Sequence, residues 1–381
     1  MILANFTLWI LLLFLAMCCL NYFTAFRLDQ VKLKLNTHLP AASVLIPARN
    51  EAHNLVQLIP SLLNSNYKEF EILVLNDGSE DQTEKVALGL LEKSHIPYRV
   101  IQGKKWNSDL GISGKNYACQ QLAELAQGEI FIFCDADVTV AADTVQKTLS
   151  FIQQNPEASG MSGLPKIKSH GFYENLIFPW IMQIPLMISL PLAFAWRLPI
   201  ASMQMANGQW LAIRKSAYDK SGGHRALGTA VVEDMQLARN LVNKSLGGLI
   251  PVLAAKDVSV QMYFDWNSMV AGFSKNLILI YGGRPVYFLT LLMFVNLVFL
   301  VPLWFLGVSL VHVTLGLSAL FILRLLTALS FGSSLLNAVL QFFLHWPSLL
   351  VLNYFSILIL NNYYNHVTDW KGRKTQQAGA R

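Results

Sequence analysis

Charged residues are scarce in this sequence. Asp, Glu, Lys and Arg together make up 14% of the 381 residues, whereas hydrophobic residues make up 54%. An ordinary soluble domain has about 25% charged residues, so the deficit excludes that class and indicates apolar segments that lie in a membrane. The net charge of +6 is modest. It favours anionic lipid head groups as partners, and we expect no nucleic-acid partner.

Three long segments contain no charged residue at all. Met1–Phe26 is the first, and Val286–Leu323 and Leu325–Thr368 lie near the other end of the chain. The first segment is long enough to span a membrane, and it lacks the basic start and small-residue cleavage site of a signal peptide. We therefore expect a retained transmembrane anchor over residues 1–26 and two to four further spans over residues 285–365.

Basic residues follow the first apolar segment, and none precedes it. Arg27, Lys32 and Lys34 come directly after that segment, so the positive-inside rule predicts that the domain over residues 40–280 is cytoplasmic. The basic tail over residues 366–381 predicts the same side for the end of the chain, and hence an even number of C-terminal spans. The expected location is the plasma or inner membrane.

Cysteine is also rare. Cys18 and Cys19 lie in the anchor, Cys119 lies in a predicted helix and Cys134 at the end of a predicted strand. The four cysteines show neither a metal-binding spacing nor a disulfide framework, which suits a reduced cytosolic domain.

Short runs of β-forming residues alternate with helical patterns between residues 43 and 134. The predicted strands are Ser43–Pro47, Phe70–Leu75, Tyr98–Ile101 and Ile130–Cys134, and the predicted helices are Ala52–Leu63, Glu80–Lys93 and Gly114–Ala126. Strand and helix at this spacing form βαβ units. The pattern therefore predicts an open, Rossmann-like α/β sheet that binds a nucleotide.

Acidic residues follow two of these strands. Asp77 lies in an Asn-Asp-Gly-Ser turn, and Asp135 and Asp137 follow the strand Ile130–Cys134. Ligands of open parallel sheets bind beyond the carboxyl ends of the strands, and carboxylates together with phosphate oxygens bind Mg²⁺ or Mn²⁺. The spacing therefore predicts a metal and diphosphate site. The alternative is that these residues serve only the turns, where Asp is common.

Further polar residues stand at loop and helix starts. Glu233 and Asp234 open a predicted helix, where a carboxylate either acts as a base or only stabilises the helix dipole. Lys115 starts another helix and either contacts phosphate or is a solvated lysine. His224 follows two glycines and either binds acceptor or phosphate or is an ordinary loop residue.

Two other segments are predicted to form helices in the membrane interface, over residues 172–196 and 261–276. The first is apolar but contains three prolines, which disfavour a straight span. The second is amphipathic. The aromatic residues expected at the membrane surface are Trp180, Trp196, Tyr263, Phe264, Trp266 and Phe273.

Five motifs stand in the order seen in one enzyme family. They are Pro47–Glu51, Asn76–Ser79, Asp135–Asp137, Asn207–Gln209 and Glu233–Asp234. With them the chain resembles the family 2 inverting glycosyltransferases of the GT-A fold, over residues 43–275. Within that family it is most similar to the membrane-bound branch that glycosylates lipids, such as the carotenoid-acid, hopanoid and ceramide glycosyltransferases.

The resemblance implies a role for each motif. A UDP-sugar donor would be bound by Pro47, Arg49, Glu51, Asp77, Lys115 and Asp135. A Mg²⁺ or Mn²⁺ ion would be held by Asp137 and Asp135. Asp234 would be the general base, and the acceptor side would include Asn207, Gly208, Gln209, His224 and Glu233. One sugar would pass to a lipid hydroxyl or carboxylate.

One motif departs from the processive members of this superfamily. Polysaccharide synthases carry Gln-X-X-Arg-Trp beside the acceptor channel, and the nearest match here, Gln261–Trp266, lacks the arginine. This favours transfer of a single sugar. The alternatives are a processive synthase, a transporter with a nucleotide-sensing domain and an inactive lipid-binding scaffold. Arg324, the one charged residue in the C-terminal apolar region, is expected to extend to the head groups or else to mark a polar path.

Overall fold

The computed structural model describes residues 2–364 except 34–37, 170, 264, 282 and 308, together with the backbone of 369–370 and 373–374. Phe264 and most of the tail over residues 366–381 therefore lie outside the described residues. The chain forms two compact units. We call them the sheet unit (Phe26–Lys168, Leu192–Met262 and Trp370–Arg381) and the helical unit (Met1–Ala25, Ser169–Pro191 and Tyr263–Asp369).

The described strands, in chain order, are β1 (Phe26–Arg27), β2 (Ala42–Ala48), β3 (Phe70–Asn76), β4 (Tyr98–Gln102), β5 (Ile130–Cys134), β6 (Val138–Val140), β7 (Gly160–Leu164), β8 (Lys166–Ile167), β9 (Trp210–Arg214), β10 (Leu249–Leu253), β11 (Val258–Val260), β12 (Asp369–Trp370) and β13 (Arg373–Lys374). The α-helices are α1 (Ile2–Thr24), α2 (Ala52–Leu63), α3 (Thr83–Leu91), α4 (Gly114–Leu125), α5 (Thr144–Gln154), α6 (Phe172–Ile188), α7 (Leu192–Ala195), α8 (Lys215–Ser221), α9 (Glu233–Asn243), α10 (Trp266–Ile280), α11 (Pro285–Phe299), α12 (Val301–Trp304), α13 (Leu310–Ser330), α14 (Leu335–Phe343) and α15 (His345–Tyr364).

A mixed sheet with the strand order β1-β10-β7-β9-β5-β2-β3-β4 forms the centre of the sheet unit. β9 runs antiparallel to both of its neighbours, β5 and β7, and the other neighbouring pairs are parallel. β6, β11 and β8 form a smaller sheet. Because β5, β2, β3 and β4 are parallel neighbours, the carboxyl ends of these predicted strands lie on the same side of the sheet, as expected for the α/β fold.

Strand β2 is buried on both faces, which explains its continuous apolar sequence. Val44 and Ile46 pack in a cluster with Leu55 of α2, whereas Leu45 packs in another with Leu122 of α4. Because successive side chains of a strand point to opposite faces, helices cover both sides of the sheet.

The predicted elements agree with the structure except at some of their ends. Helix α2 has the predicted bounds, whereas α3 begins at Thr83 rather than Glu80. The carboxylate of Asp81 accepts a hydrogen bond from the Thr83 N–H at 3.0 Å, so the residues before Thr83 form a turn rather than the first turn of the helix.

The helical unit contains two helices that are long and apolar enough to cross a membrane, α1 and α13, within the part of the chain that the structure describes. The bent pairs α10 with α11 and α14 with α15 would add two more if each pair forms one span. The expected combination of an α/β domain with apolar membrane-type helices is therefore confirmed.

The aromatic residues expected at the membrane surface are only in part exposed. Trp180 lies within α6, a continuous helix despite Pro179 and Pro185, and its indole is buried and donates to Ser348 Oγ at 2.9 Å. Trp196 and Phe273 are also buried, each within its own unit. The expectation of head-group contact was wrong for these three residues, because each packs against protein.

Arg324 does not extend to solvent or to a helix end. It is 1% exposed in the middle of α13. Its guanidinium lies 4.0 Å from the centre of the Trp180 ring, and its Nε and Nη2 atoms lie 3.2 Å from His345 Nδ1. The expectation that this side chain reaches the head groups was therefore wrong, because its neighbours inside the helical unit solvate the cation.

Candidate active site

The donor-side motifs meet at the carboxyl ends of β2 and β3. Arg49 Nη1 donates to the carbonyl oxygens of Asp77 at 2.8 Å and Gly78 at 3.0 Å. Asp77 is 2% exposed, and its N–H donates to Ala48 O at 2.8 Å. The turn itself is closed by Asn76, whose Oδ1 accepts from the Ser79 N–H at 3.1 Å.

Asp137 is a buried carboxylate at the end of β5. Its Oδ1 atom has no hydrogen-bond partner among the described residues. Burial raises the pKa of Asp137 to about 8, and the charges of Asp135 and Glu51 add to the effect. A cation placed at these carboxylates would remove both the repulsion and the unsatisfied oxygen, so the residues fit a divalent ion.

The carboxylates alone do not form a complete metal site. Among the described residues there is no group of three or more His, Cys, Asp or Glu side chains arranged to hold a metal. Mg²⁺ usually takes one or two carboxylates and fills its remaining positions with water and substrate phosphate oxygens. Asp135 and Asp137 provide the two carboxylates that such a site requires.

The loop Asn207–Gln209 makes hydrogen bonds both to the residue that follows β5 and to the start of α9. Gly208 N–H donates to Asp234 Oδ2 at 2.8 Å, and Gln209 O accepts from the Asp135 N–H at 3.3 Å. Asn207 Oδ1 accepts from the Gln209 N–H at 2.9 Å and so fixes the shape of the loop. This loop, predicted as acceptor-side, therefore positions the candidate base through its backbone.

Asp234 is poised to exchange a proton near neutral pH. Burial and the neighbouring Glu233 carboxylate raise the pKa of Asp234 to about 7, although hydrogen bonds from the N–H groups of Met235 and Gly208 act in the opposite direction. A general base works best when its pKa is close to the working pH. The environment therefore suits Asp234 to accept a proton.

Lys115 lies between the donor-side and acceptor-side carboxylates. Its Nζ atom is 2.9 Å from Asp135 Oδ1 and 2.7 Å from Glu233 Oε1. Burial would raise the pKa of Glu233, but the Lys115 ammonium outweighs it, and the pKa is lowered. Lys115 is thus not a solvated surface lysine.

His224 is 4% exposed and is held by Tyr218. The Tyr218 hydroxyl lies 2.9 Å from His224 Nδ1 and accepts from the His224 N–H at 3.0 Å. Burial lowers the pKa of His224 to about 4, so the imidazole is neutral at pH 7. The His224 ring therefore contributes to the shape of the pocket that it lines but adds no charge to it.

A single pocket brings together many of the predicted site residues. Its lining includes Pro47, Lys115, Asp135, Gly208, His224, Glu233 and Asp234, together with Cys119, Phe133, Cys134, Leu211 and Leu237. Arg49, Glu51, Asp77, Asp137, Asn207 and Gln209 do not line it. Of the latter group, Gln209 contacts a lining residue through its backbone, because its carbonyl oxygen accepts from the Asp135 N–H.

Sequence reasoning missed residues that support the site. Asn116 is fully buried, and its Nδ2 donates to the carbonyl oxygens of Gly228 at 2.9 Å and Ala230 at 3.2 Å. Ser162 Oγ accepts from the Asn207 N–H at 2.6 Å, and Gln261 N–H donates to Asp137 O at 3.1 Å. Their partners are distant in sequence, and only the Gly-Lys-Asn helix start gave any local signal for Asn116.

Comparison with known proteins agrees with this geometry. Residues 43–206 match the model of Glycosyl transferase family 2. A mannosyltransferase from Pyrobaculum calidifontis, solved in complex with GDP-Man and Mn²⁺, matches with a TM-score of 0.54 at 16% sequence identity and covers 95% of this chain and 99% of its own. These findings define the class: residues 43–206 resemble the glycosyltransferase family 2 domain, and the fold resembles that of a GT-A glycosyltransferase.

Curated relatives narrow the resemblance to one branch. The 4,4'-diaponeurosporenoate glycosyltransferase of Staphylococcus aureus strain USA300 is 27% identical over 270 residues, which is 69% of this chain and 68% of the relative. The enzyme of strain MRSA252 is 28% identical over 263 residues, or 68% and 66% of the two chains. The chain therefore resembles the carotenoid-acid branch of the family.

Proposed function

We propose that this protein is a membrane-bound inverting glycosyltransferase that moves one sugar from a UDP-sugar to a membrane lipid, with Mg²⁺ or Mn²⁺ as cofactor. The observation that supports this most is the shared pocket of Asp135 and Asp234. A donor-side carboxylate and a candidate base thus line one space. Single displacement requires the donor and the acceptor to meet in such a space.

The donor side is assigned to the ends of β2, β3 and β5. Asp77 and the Arg49 region would bind the nucleoside, and Lys115 would contact the diphosphate, because a lysine binds phosphate as a point charge. Asp137 and Asp135 would hold the metal ion. When bound, such an ion neutralises the charge that develops on a departing diphosphate.

The acceptor side is assigned to Asp234 and its neighbours. Asp234 takes the proton of the acceptor hydroxyl while the oxygen of that hydroxyl forms a bond to the anomeric carbon of the donor sugar. The bond from that carbon to the UDP oxygen breaks on the opposite face, and UDP leaves with the electron pair. The anomeric configuration inverts. A carboxylate acceptor would already carry the negative charge and would need no base.

The lipid acceptor is supported by the apolar helices of the chain and by the branch that it resembles. The names of the Staphylococcus aureus relatives give a carotenoid acid as acceptor, and α1 and α13 have the length and composition of membrane spans. A hydrophobic acceptor can remain in the bilayer while its polar end enters a site at the surface. We place that site on the cytoplasmic side, because Arg27 and Lys32 follow α1.

A screen for transfer tests the proposal. The detergent-solubilised protein is incubated with UDP-glucose, UDP-galactose or UDP-N-acetylglucosamine, Mn²⁺ and a host lipid extract, and products are read by mass spectrometry. We expect one singly glycosylated lipid, and its loss with EDTA. A ladder of sugars would favour the processive synthase. If no donor releases UDP or yields product, the proposal is wrong.

A further inference from the structure

Ser162 holds one peptide group of the loop Asn207–Gln209. Its hydroxyl donates to Asn207 O at 3.1 Å and accepts from the Asn207 N–H at 2.6 Å. Ser162 is fully buried in β7, and its place in the sheet is fixed because it pairs with Leu211 of β9. A buried donor on a rigid strand therefore fixes the carbonyl group of Asn207.

The same peptide group contacts the candidate base. The peptide bond between Asn207 and Gly208 carries the Asn207 carbonyl and the Gly208 N–H, which point in opposite directions in a planar trans peptide. Because Ser162 holds the carbonyl, the N–H is directed at Asp234, and it donates to Oδ2 of that residue at 2.8 Å. A hydrogen bond of this kind stabilises the charged carboxylate.

The glycine at position 208 would also permit the reversed orientation of this peptide. The φ of Gly208 lies outside the left-handed range, and turning the peptide over changes it by about 180°, as between turns of types I and II. The resulting positive φ suits glycine and is disfavoured for residues with a Cβ atom. In the observed orientation, by contrast, a Cβ atom at this position would lie 3.5 Å from Asp234 Cβ, an ordinary contact. Alanine would therefore fit the observed orientation but not the reversed one.

The two orientations favour different protonation states of Asp234. The observed one offers the Gly208 N–H to the carboxylate. The reversed one would offer the Asn207 carbonyl oxygen, to which only a protonated carboxyl group can donate. Two charges act on the same group, because Glu233 on α9 raises the pKa of Asp234 and Lys115 on α4 lowers it. The remaining titratable residues that line the pocket are Cys119, Cys134, Asp135 and His224.

We propose that Ser162 is a positioning residue, which holds the Asn207–Gly208 peptide in the orientation that keeps Asp234 charged and able to accept the proton of the acceptor hydroxyl. This rests on the proposed function and deepens it, because it names a group that sets the strength of the base. Ser162 does not line the pocket. It acts through the loop and not on the substrates.

An infrared titration tests this role without any turnover. The full detergent-solubilised chain is titrated between pH 5 and pH 9, and the C=O stretching band of protonated carboxyl groups is followed. The contribution of Asp234 is the part of the band that is lost when the same chain carries Asp234→Asn. We expect a midpoint near pH 7 in the wild type. Ser162→Ala should raise that midpoint by about one pH unit, as when a charged group loses one hydrogen bond.

A second substitution separates the orientation of the peptide from a general loosening of the loop. Gly208→Ala added to Ser162→Ala should return the midpoint of Asp234 to the wild-type value, because alanine disfavours the reversed peptide. Ser162→Cys replaces the hydroxyl with a weak donor. It should shift the midpoint in the same direction as Ser162→Ala, and it provides the test if that variant does not fold.

The matched control is Ser159→Ala. Ser159 is also buried, and its hydroxyl donates to a loop carbonyl, Leu246 O, at 2.6 Å. It makes no hydrogen bond to the loop Asn207–Gln209 among the described residues. Loss of this hydroxyl should therefore leave the midpoint of Asp234 unchanged.

Transfer should follow the same titration. Ser162→Ala should lower the rate of lipid glycosylation about fivefold at pH 7, because a smaller fraction of Asp234 is then deprotonated. The rate should recover at pH 9, where the carboxyl group has lost its proton again. A purely structural defect would lower the rate at both pH values.

The outcomes separate the two proposals. A midpoint in Ser162→Ala equal to that of the wild type, or one that stays raised when Gly208→Ala is added, would overturn the role of Ser162. The expected shifts without transfer to any lipid would overturn the proposed function alone. A wild type in which no part of the band depends on Asp234 would contradict both.

Discussion

At the scale of the residue, Asp234 is the assignment that is easiest to test. Asn at this position keeps an oxygen that can accept from the Gly208 N–H, which now donates to Asp234 Oδ2 at 2.8 Å, but it cannot take a proton. We expect Asp234→Asn to bind UDP normally and to lose transfer by about 10²-fold or more. The measurement is the initial rate of lipid glycosylation, with UDP affinity by calorimetry.

The matched control is Asp109→Asn, which changes an exposed carboxylate outside the pocket. It should leave both rates and affinities unchanged. Full activity of Asp234→Asn would contradict the role of base, and it would direct attention to an acceptor that is already a carboxylate.

The pH dependence of transfer follows from the same carboxylate. The pKa of Asp234 is raised to about 7, and only the deprotonated form accepts a proton. The rate at saturating substrates should therefore be low at pH 5, rise through a midpoint near neutrality and level off above it. A rate that is flat between pH 5 and pH 8 would show that no such group limits the reaction.

At the scale of the element, the sequence predicted the strands and helices around the site but not how they hold it. The runs at β2, β3 and β5 are apolar because both faces of the sheet are covered, and such runs are visible locally. The hydrogen bond from Gly208 to Asp234 is not, because its two residues are 26 positions apart. No local pattern indicates that a loop will hold a base through its backbone.

Arg324 is a residue for which the neighbouring sequence gave a wrong prediction. Its apolar neighbours in sequence suggested a side chain that reaches the membrane surface, whereas tertiary packing encloses it. His345, 21 residues away on α15, supplies the acceptor, and Trp180 on α6 supplies the aromatic face. A partner on another helix has no signature in the sequence around Arg324.

This cluster gives a prediction for the stability of the helical unit. His345→Leu removes the hydrogen-bond acceptor of a buried guanidinium, which should cost about 1–3 kcal/mol of the free energy of unfolding. Arg324→Met added to the same chain removes the buried charge itself and should recover part of that loss. The midpoint of thermal unfolding in detergent measures both effects. If His345→Leu unfolds at the wild-type temperature, the contact is not stabilising.

At the scale of the whole molecule, composition predicted that the chain contains membrane-type helices in addition to a folded domain, because 54% hydrophobic residues exceed what one soluble core requires. Composition does not specify how many of those helices cross the bilayer. Helices α1 and α13 qualify by themselves, whereas two bent pairs qualify only as pairs. The bends arise from backbone geometry, to which hydropathy is insensitive.

The side of the membrane on which the sheet unit lies is a separate prediction. Arg27 and Lys32 follow α1 and no basic residue precedes it, so the rule for positive charges places this unit in the cytoplasm, where UDP-sugars would reach it. Glu80 is exposed in the loop before α3. We expect Glu80→Cys to react with a membrane-impermeant maleimide in inverted vesicles and in broken cells but not in intact cells.

The native chain provides the background for this experiment, because Cys18, Cys119 and Cys134 are buried and Cys19 lies within α1. Labelling of Glu80→Cys in intact cells, at a level above that of the native chain, would place the sheet unit outside the cytoplasm. The donor would then have to be supplied there, and a soluble cytoplasmic UDP-sugar could no longer be the substrate without a transporter. Protection in intact cells together with labelling in inverted vesicles would put the donor and the pocket in the same compartment.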